Sequence, residues 1–371
     1  MMPLLNRYEK YLKIEEADSM KDGKHFLGNV PILDTINKIP GGIMVVPLFL
    51  GVVCNSLIPG FLEIGSFTTA LFKNGSSALI AALFFCSGAQ IQFKSAGQSL
   101  YKGLILNTSK VLFGVSLGVI LAKVGGPGAV VLGMTPLALI GCMSNSNGGL
   151  YTALATKYGT KTDVGAVAII SSNDGPFYEM LFMGLTGVAN IPIMTLIACI
   201  FPIIVGMILG NLDNKMRDFL KPGMLIAIFL FSFPLGAGMN FATLITAGIP
   251  GILLGLLTVI WTGIPSYFIY KLLVKKENRR SCAVGAAIGT SAGNSVATPA
   301  AIAAVDATWE PYAAAATAQC AASVIVTALL TPFVVNWLYK YEEKKGLINY
   351  DLPLASEDTE EEKAEVEEPA V

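Results

Sequence analysis

Between Pro40 and Tyr339 the chain is a succession of apolar stretches, each near the twenty residues that carry an α-helix across a bilayer. Ten can be drawn, at about residues 40–58, 76–92, 104–123, 129–157, 164–186, 192–211, 218–239, 248–271, 281–304 and 312–339. Hydrophobic residues make up 53% of the chain and charged residues 14%, against about 25% charged in soluble domains. The expectation is an all-α, multi-pass membrane protein.

The basic residues set the orientation, because cytoplasmic loops carry the lysine and arginine excess. With both termini inside, 22 of the 25 basic residues fall on the cytoplasmic side. Lys73 and Lys123 lie outside and Lys110 falls within a span. Moving the count by one helix destroys this asymmetry, so ten spans are expected. The first 38 residues are polar and mixed in charge. They read as a cytoplasmic extension, not a cleavable signal peptide. The acidic residues after Ser356 read as a disordered tail, making 341–371 a cytoplasmic end.

The halves echo one another. Phe85-Cys-Ser-Gly-Ala-Gln-Ile-Gln-Phe93 aligns with Phe233-Pro-Leu-Gly-Ala-Gly-Met-Asn-Phe241 at four of nine positions. Gly88 precedes Asn147 by 59 residues, and Gly236 precedes Asn294 by 58. Five spans per half is odd, so the second half would lie upside down relative to the first, as an inverted repeat. The repeats are drawn at 39–187 and 188–340.

Two of the apolar stretches are broken at matching places: Cys142-Met-Ser-Asn-Ser-Asn-Gly-Gly-Leu150 and Gly289-Thr-Ser-Ala-Gly-Asn-Ser-Val-Ala-Thr298. Unpaired backbone in hydrocarbon costs several kcal/mol, so irregular chain survives there only where it lines a cavity. Paired breaks of this kind mark the substrate site of secondary transporters. The free N–H groups of a half-helix beginning near Leu150 would face an anion. Gly148 and Gly149 allow close approach, and Pro299 suits the first turn of the second half-helix. Asn145, Asn147, Asn294, Ser295 and Thr298 are the candidate substrate-binding side chains. The competing reading is that small residues here simply let helices pack closely.

Coupling chemistry is sought in Ser171-Ser-Asn-Asp-Gly-Pro-Phe-Tyr-Glu179, because a carboxylate inside a bilayer defaults to a functional hypothesis. Asp174, or failing it Glu179, is the candidate proton carrier. Pro176 donates no N–H and would leave the Ser172 carbonyl free. Asn173, Ser172 and Ser144 are further candidate ligands for a coupling ion, a proton or alternatively sodium. Both acids could instead stand at the outer end of their helix, facing water. Gln90, Gln92 and Gln319 could serve the site or bond between helices.

Other classes are weighed against this reading. The only histidine, His25, lies in the polar extension. That removes a histidine relay, an intramembrane Ser-His or Cys-His pair and a His-ligated metal. No cofactor or metal is expected, and the sequence has no basic stripe for nucleic acid. The six cysteines form no CxxC pair and read as packing residues. An uncoupled channel would not need a repeat with broken helices. The expected partners are a small organic anion and the lipid bilayer, and a homo-oligomer stays open.

Lys38-Ile-Pro-Gly-Gly-Ile-Met-Val-Val-Pro-Leu-Phe-Leu-Gly51, Asn147-Gly-Gly-Leu-Tyr151, Lys157-Tyr-Gly-Thr160, Val205-Gly-Met-Ile-Leu-Gly-Asn-Leu-Asp213, Thr262-Gly-Ile-Pro265 and Ser291 to Pro299 resemble bacterial 2-keto-3-deoxygluconate permeases. The resemblance runs from about residue 36 to 340. It implies an inner-membrane symporter taking up that sugar acid with protons. It also implies the fold of bile-acid/sodium symporters, in which a panel of helices packs against a core holding two crossing, broken helices. By position, spans three to five and eight to ten would form the core, and one, two, six and seven the panel.

Overall fold

Helix is the only regular structure among the described residues, apart from an isolated bridge between Val131 and Met134. That is the outcome lipid favours, since a helix satisfies its backbone groups internally. The computed structural model describes residues 30–39, 42–91, 97–173 and 175–356. The extension up to residue 29, Gln92, Asp174 and the acidic tail from residue 357 lie outside the described residues.

The chain divides into two units, Met1–Ile39 and Pro40–Val371. In the first, the described part is one short helix, α1 (Ile32–Asn37). The second unit opens with α2 (Gly42–Leu57), α3 (Ser66–Phe72), α4 (Ser76–Gly88) and α5 (Gln98–Gly125). The first broken stretch supplies α6 (Pro136–Met143) and α7 (Gly148–Tyr158). Then come α8 (Lys161–Gly165), α9 (Val167–Ile170), α10 (Phe177–Leu185), α11 (Ile193–Leu212), α12 (Asn214–Leu220) and α13 (Gly223–Ala237). The chain continues through α14 (Phe241–Thr258), α15 (Ile264–Leu273), α16 (Thr298–Val305) and α17 (Glu310–Lys344).

Four helical runs are long and apolar enough to cross a membrane: Gln98–Gly125, Asn214–Ala237, Phe241–Leu273 and Ala307–Lys344. The pair α3 and α4, bent by 60°, makes a fifth. Large apolar side chains face outward on these helices, among them Leu272 at 82% exposure and Phe333 at 71%. A soluble surface would not present them together, whereas lipid tails solvate them.

Three departures from the expected spans matter. The stretch 129–157 turns helical only at Pro136, where Thr135 caps the first turn by accepting from the Ala138 N–H at 3.1 Å. The stretch 164–186, expected to be unbroken, is interrupted between α9 and α10 by a 3-10 turn, Ser171–Asn173, and by Gly175. Gly175 has φ +115° with the Phe84 ring against it, so a Cβ there would be both strained and crowded. The long run from α14 to α15 passes through a π turn, Val259–Gly263. Pro265 follows it, and the widened turn accommodates a residue that has no N–H and crowds the preceding carbonyls.

Glycines line tight helix contacts, as small residues do in membranes. α2 packs on α13, where a Cβ on Gly51 would stand 2.8 Å from Ala237 N and one on Gly236 2.8 Å from the Leu48 carbonyl carbon. α4 packs on α11, where a Cβ on Gly88 would lie 2.8 Å from Ile203 Cα and one on Gly206 2.9 Å from the Phe85 carbonyl carbon. α13 also lies against α4. Elsewhere α14 runs along α17, α5 along α6, and α15 against the 3-10 segment Ala283–Ile288.

Candidate functional site

The two broken stretches meet. Thr298, first residue of α16, lies against Gly141 of α6: a Cβ on Gly141 would be 3.2 Å from Thr298 Cγ2. One residue on, Cys142 Sγ stands 3.0 Å from Ser291 Oγ. The Asn147 N–H donates to Thr290 Oγ1 at 2.8 Å. The breaks thus touch at three places, and polar side chains of α17 close the other side. Ser323 Oγ is 3.2 Å from Ser291 Oγ, Thr327 Oγ1 accepts from the Ser291 N–H at 3.0 Å, and Thr331 donates to Gly289 O at 2.9 Å.

Within the first break, α6 ends at Ser144 and α7 begins after Asn147, whose Oδ1 accepts from the Leu150 N–H at 3.0 Å. Asn147 is therefore a helix cap. Gly148 and Gly149 form the first turn of α7. Asn145 holds the break against the interrupted fifth stretch. Its Nδ2 donates to Gly141 O at 3.0 Å and to Glu179 Oε1 at 2.9 Å, and its Oδ1 accepts from the Gly175 N–H at 3.2 Å. Asn173 pairs with Ser146 twice, accepting from its N–H at 3.2 Å and donating to its Oγ at 3.1 Å.

Glu179, in the first turn of α10, is fully buried and does not face water. Its Oε1 meets the Ser144 hydroxyl and the Asn145 amide, while Oε2 has no partner among the described residues. Ser144 Oγ also lies 2.6 Å from Ile140 O. A hydroxyl has one proton. Ser144 can donate that proton to the carboxyl or to the Ile140 carbonyl, but not to both at once.

In the second break a 3-10 turn, Gly293–Val296, precedes α16, with Pro299 in the first turn. Ser295 Oγ is turned back onto Ala292 O at 2.6 Å. Asn294 Oδ1 and Thr298 Oγ1 are buried and lack partners among the described residues. Buried polar atoms are nearly always hydrogen-bonded, so orphans at one place need an explanation.

Of the sequence candidates, the structure thus brings Ser144, Asn145, Asn147, Gly148, Gly149, Asn173, Glu179, Asn294, Ser295 and Thr298 to the two breaks and the segments packed on them. Ser172 faces α5, accepting from Asn107 Nδ2 at 3.0 Å and standing 3.2 Å from Tyr178 OH. Two amides lie elsewhere. Gln90 donates to Arg217 O at 3.1 Å, at the end of α4. Gln319 serves the start of α6, where its Oε1 accepts from the Thr135 N–H at 3.2 Å and its Nε2 donates to Gly133 O at 2.9 Å. Asp174 and Gln92 lie outside the described residues.

Sequence reasoning gave no role to Lys110. It is wholly buried on α5, donating to Thr290 O at 2.7 Å and to Thr262 Oγ1 in the π turn at 3.0 Å. The signal was present, because a lysine inside an apolar span is a functional hypothesis by default. Lys102 precedes the span drawn at 104–123 and so counts with the cytoplasmic basic residues, but it is not in a loop. It is buried within α5, 2.8 Å from Asp163, with Thr160 and Thr162 at 3.2 and 2.8 Å. Tyr270 also donates to that carboxylate.

The sequence matches the family described as 2-keto-3-deoxygluconate permease over residues 33–344. It is 46% identical over 315 residues to 2-keto-3-deoxygluconate permease 1 of Salmonella typhimurium, covering 85% of this chain and 98% of that protein. It is 40% identical over 316 residues to the 2-keto-3-deoxygluconate permease of Bacillus subtilis, covering 84% and 94%. The protein of that name from Xanthomonas euvesicatoria is 36% identical over 305 residues, covering 81% and 94%.

Proposed function

The chain belongs to the 2-keto-3-deoxygluconate permease family, and from that premise we propose that it imports this sugar acid, or a close analogue, by proton-coupled symport at the junction of its two broken stretches. A permease family makes it a transporter and not an enzyme. The observation that carries the site is the set of unpartnered buried oxygens beside the breaks: Asn294 Oδ1, Thr298 Oγ1 and Glu179 Oε2. A polyhydroxylated anion brings the donors and acceptors that complete such atoms.

The proposed frame is ten spans in two inverted five-helix repeats in the bacterial inner membrane, both termini cytoplasmic. α2, α4, α11 and α13 form the panel, and the remaining spans the core. The two equivalent glycine-lined contacts support this, α2 with α13 and α4 with α11, as does the lysine and arginine asymmetry. Rocking the core against the panel would expose the site to each side in turn. The substrate carboxylate would face the N-termini of α7 and α16, with Asn145, Asn147, Asn294 and Thr298 around its hydroxyls and keto oxygen.

Glu179 is the proposed proton carrier, on its burial and its partnerless oxygen beside the first break. Asp174 is the second carrier to be tested. Sodium is the alternative coupling ion, and the oxygens of Ser144, Asn145 and Glu179 are the ligand set that favours it. Uptake by proteoliposomes under a pH gradient alone, compared with a sodium gradient alone, separates the two. Binding is tested by melting the purified protein with 2-keto-3-deoxygluconate, which raises the melting temperature of a protein that binds it. No shift at millimolar ligand would end the reading.

A further inference from the structure

We propose that the Lys110 ammonium is the group that recognises the substrate's carboxylate, a role resting on the transport reading above. α5 carries two fully buried lysines, and they are compensated differently. Lys102 is ion-paired with Asp163 at 2.8 Å. Lys110 has no carboxylate within ion-pairing distance among the described residues; it meets only a carbonyl, Thr290 O, and a hydroxyl, Thr262 Oγ1. A buried charge without a contacting counter-charge is costly, and Glu179 and Cys142 act on this one only from a distance, so its retention points to a partner that comes and goes. The ammonium has three donors and two are used here, leaving one for an incoming oxygen.

Its position fits an anion. Thr290, whose carbonyl holds Lys110, accepts with its hydroxyl from the Asn147 N–H, so the charge is fixed to both breaks at once. The same region holds the N-terminus of α7, whose dipole adds positive potential. The π turn is what brings Thr262 to the ammonium: Thr262 donates to Thr258 O at 2.7 Å and accepts from Lys110. Lys110 is thus held by two acceptors that carry no negative charge, and its own charge stays available to the ligand.

The experiment is calorimetric titration of the purified full-length protein with 2-keto-3-deoxygluconate and with its uncharged methyl ester. The wild type is expected to bind the anion at least about tenfold tighter than the ester, because a charge-assisted hydrogen bond is worth that much. Lys110→Met should weaken the anion roughly 30-fold while changing ester affinity less than about threefold. A packing role would weaken both ligands alike. If Lys110→Met does not fold, Lys110→Gln carries the same comparison, and equal wild-type affinity for anion and ester still overturns the inference without any variant. Equal affinity of the wild type for both ligands, or an unchanged anion affinity in Lys110→Met, overturns the inference. Thr298→Val separates this from failure of the site itself. If it loses the anion while Lys110→Met does not, the site stands and the lysine's role falls. If both variants bind normally, the substrate lies elsewhere.

Discussion

Asn55 and Asn211 make the same hydrogen bond in different halves of the chain. Asn55 Nδ2 donates to Met239 O at 2.8 Å, and Asn211 Nδ2 donates to Ile91 O at 2.7 Å. The two acceptors are equivalent positions of the Phe85–Phe93 and Phe233–Phe241 segments, three residues beyond Gly88 and Gly236. Each asparagine therefore ties the end of one helix to the end of the helix its glycines touch, α2 to α13 and α11 to α4. The proposed repeat rests as much on this equivalence of contacts as on sequence identity.

That equivalence predicts that the two contacts fail alike. Gly51→Leu and Gly206→Leu each drive a side chain into backbone of the facing helix, and overpacking of this kind typically costs about 1–3 kcal/mol. Both should lower the thermal midpoint of the purified protein by similar amounts. Gly60→Leu, where nothing lies within 4 Å of the added Cβ, should leave it unchanged. A large effect at one glycine and none at the other would argue against equivalent halves.

The buried pair Lys102–Asp163 gives a second prediction. Lys102→Met leaves a buried carboxylate with hydroxyl and backbone partners only, and breaking a buried pair on one side costs about 3–5 kcal/mol. Lys102→Met with Asp163→Asn should recover part of that loss. Thermal unfolding of the two variants checks it, and a single variant as stable as wild type would contradict the pairing.

Much of this was legible in the sequence, and the misses have physical causes. Long apolar stretches and the small polar residues at 144–149 and 289–298 marked helices and breaks, because lipid tolerates few other arrangements. The interruption at 171–176 does not stand out from the apolar run around it, despite Asn173, Gly175 and Pro176. Short breaks inside an apolar run depend on tertiary partners such as Asn145, and these are not local. For Gln319 the sequence leaves the site and a bond between helices both open, and an amide on a long helix bonds whatever backbone is exposed nearby, here the start of α6. Lys102 reads as a loop residue because composition counts charges without seeing that Asp163, 61 residues on, reaches it.

Asn147 permits a cap and a ligand contact to be separated. Its Oδ1 caps α7 and its N–H engages Thr290. Asn147→Ala removes the cap, which is worth about 1 kcal/mol. Asn147→Asp keeps a capping oxygen at the helix N-terminus but sets a negative charge where the substrate anion is proposed to sit. Asn147→Asp should therefore melt within a few degrees of wild type and still lose 2-keto-3-deoxygluconate binding by more than about tenfold. Equal affinity in the two proteins would move the carboxylate away from α7.

Glu179 is where the proposed coupling is tested. If the carboxyl carries the proton between membrane faces, Glu179→Gln fixes the site in a neutral form that still offers Ser144 an acceptor oxygen and Asn145 a partner. Binding should survive, and so should counterflow of labelled 2-keto-3-deoxygluconate against unlabelled, since exchange needs no net proton movement. Uphill accumulation driven by a pH gradient should disappear. Asp174→Asn, measured beside it, should keep accumulation if Glu179 is the carrier. Accumulation that persists in Glu179→Gln and vanishes in Asp174→Asn would transfer the role to Asp174. Loss of counterflow together with accumulation in Glu179→Gln would make Glu179 part of the substrate site and not the carrier of the coupling proton.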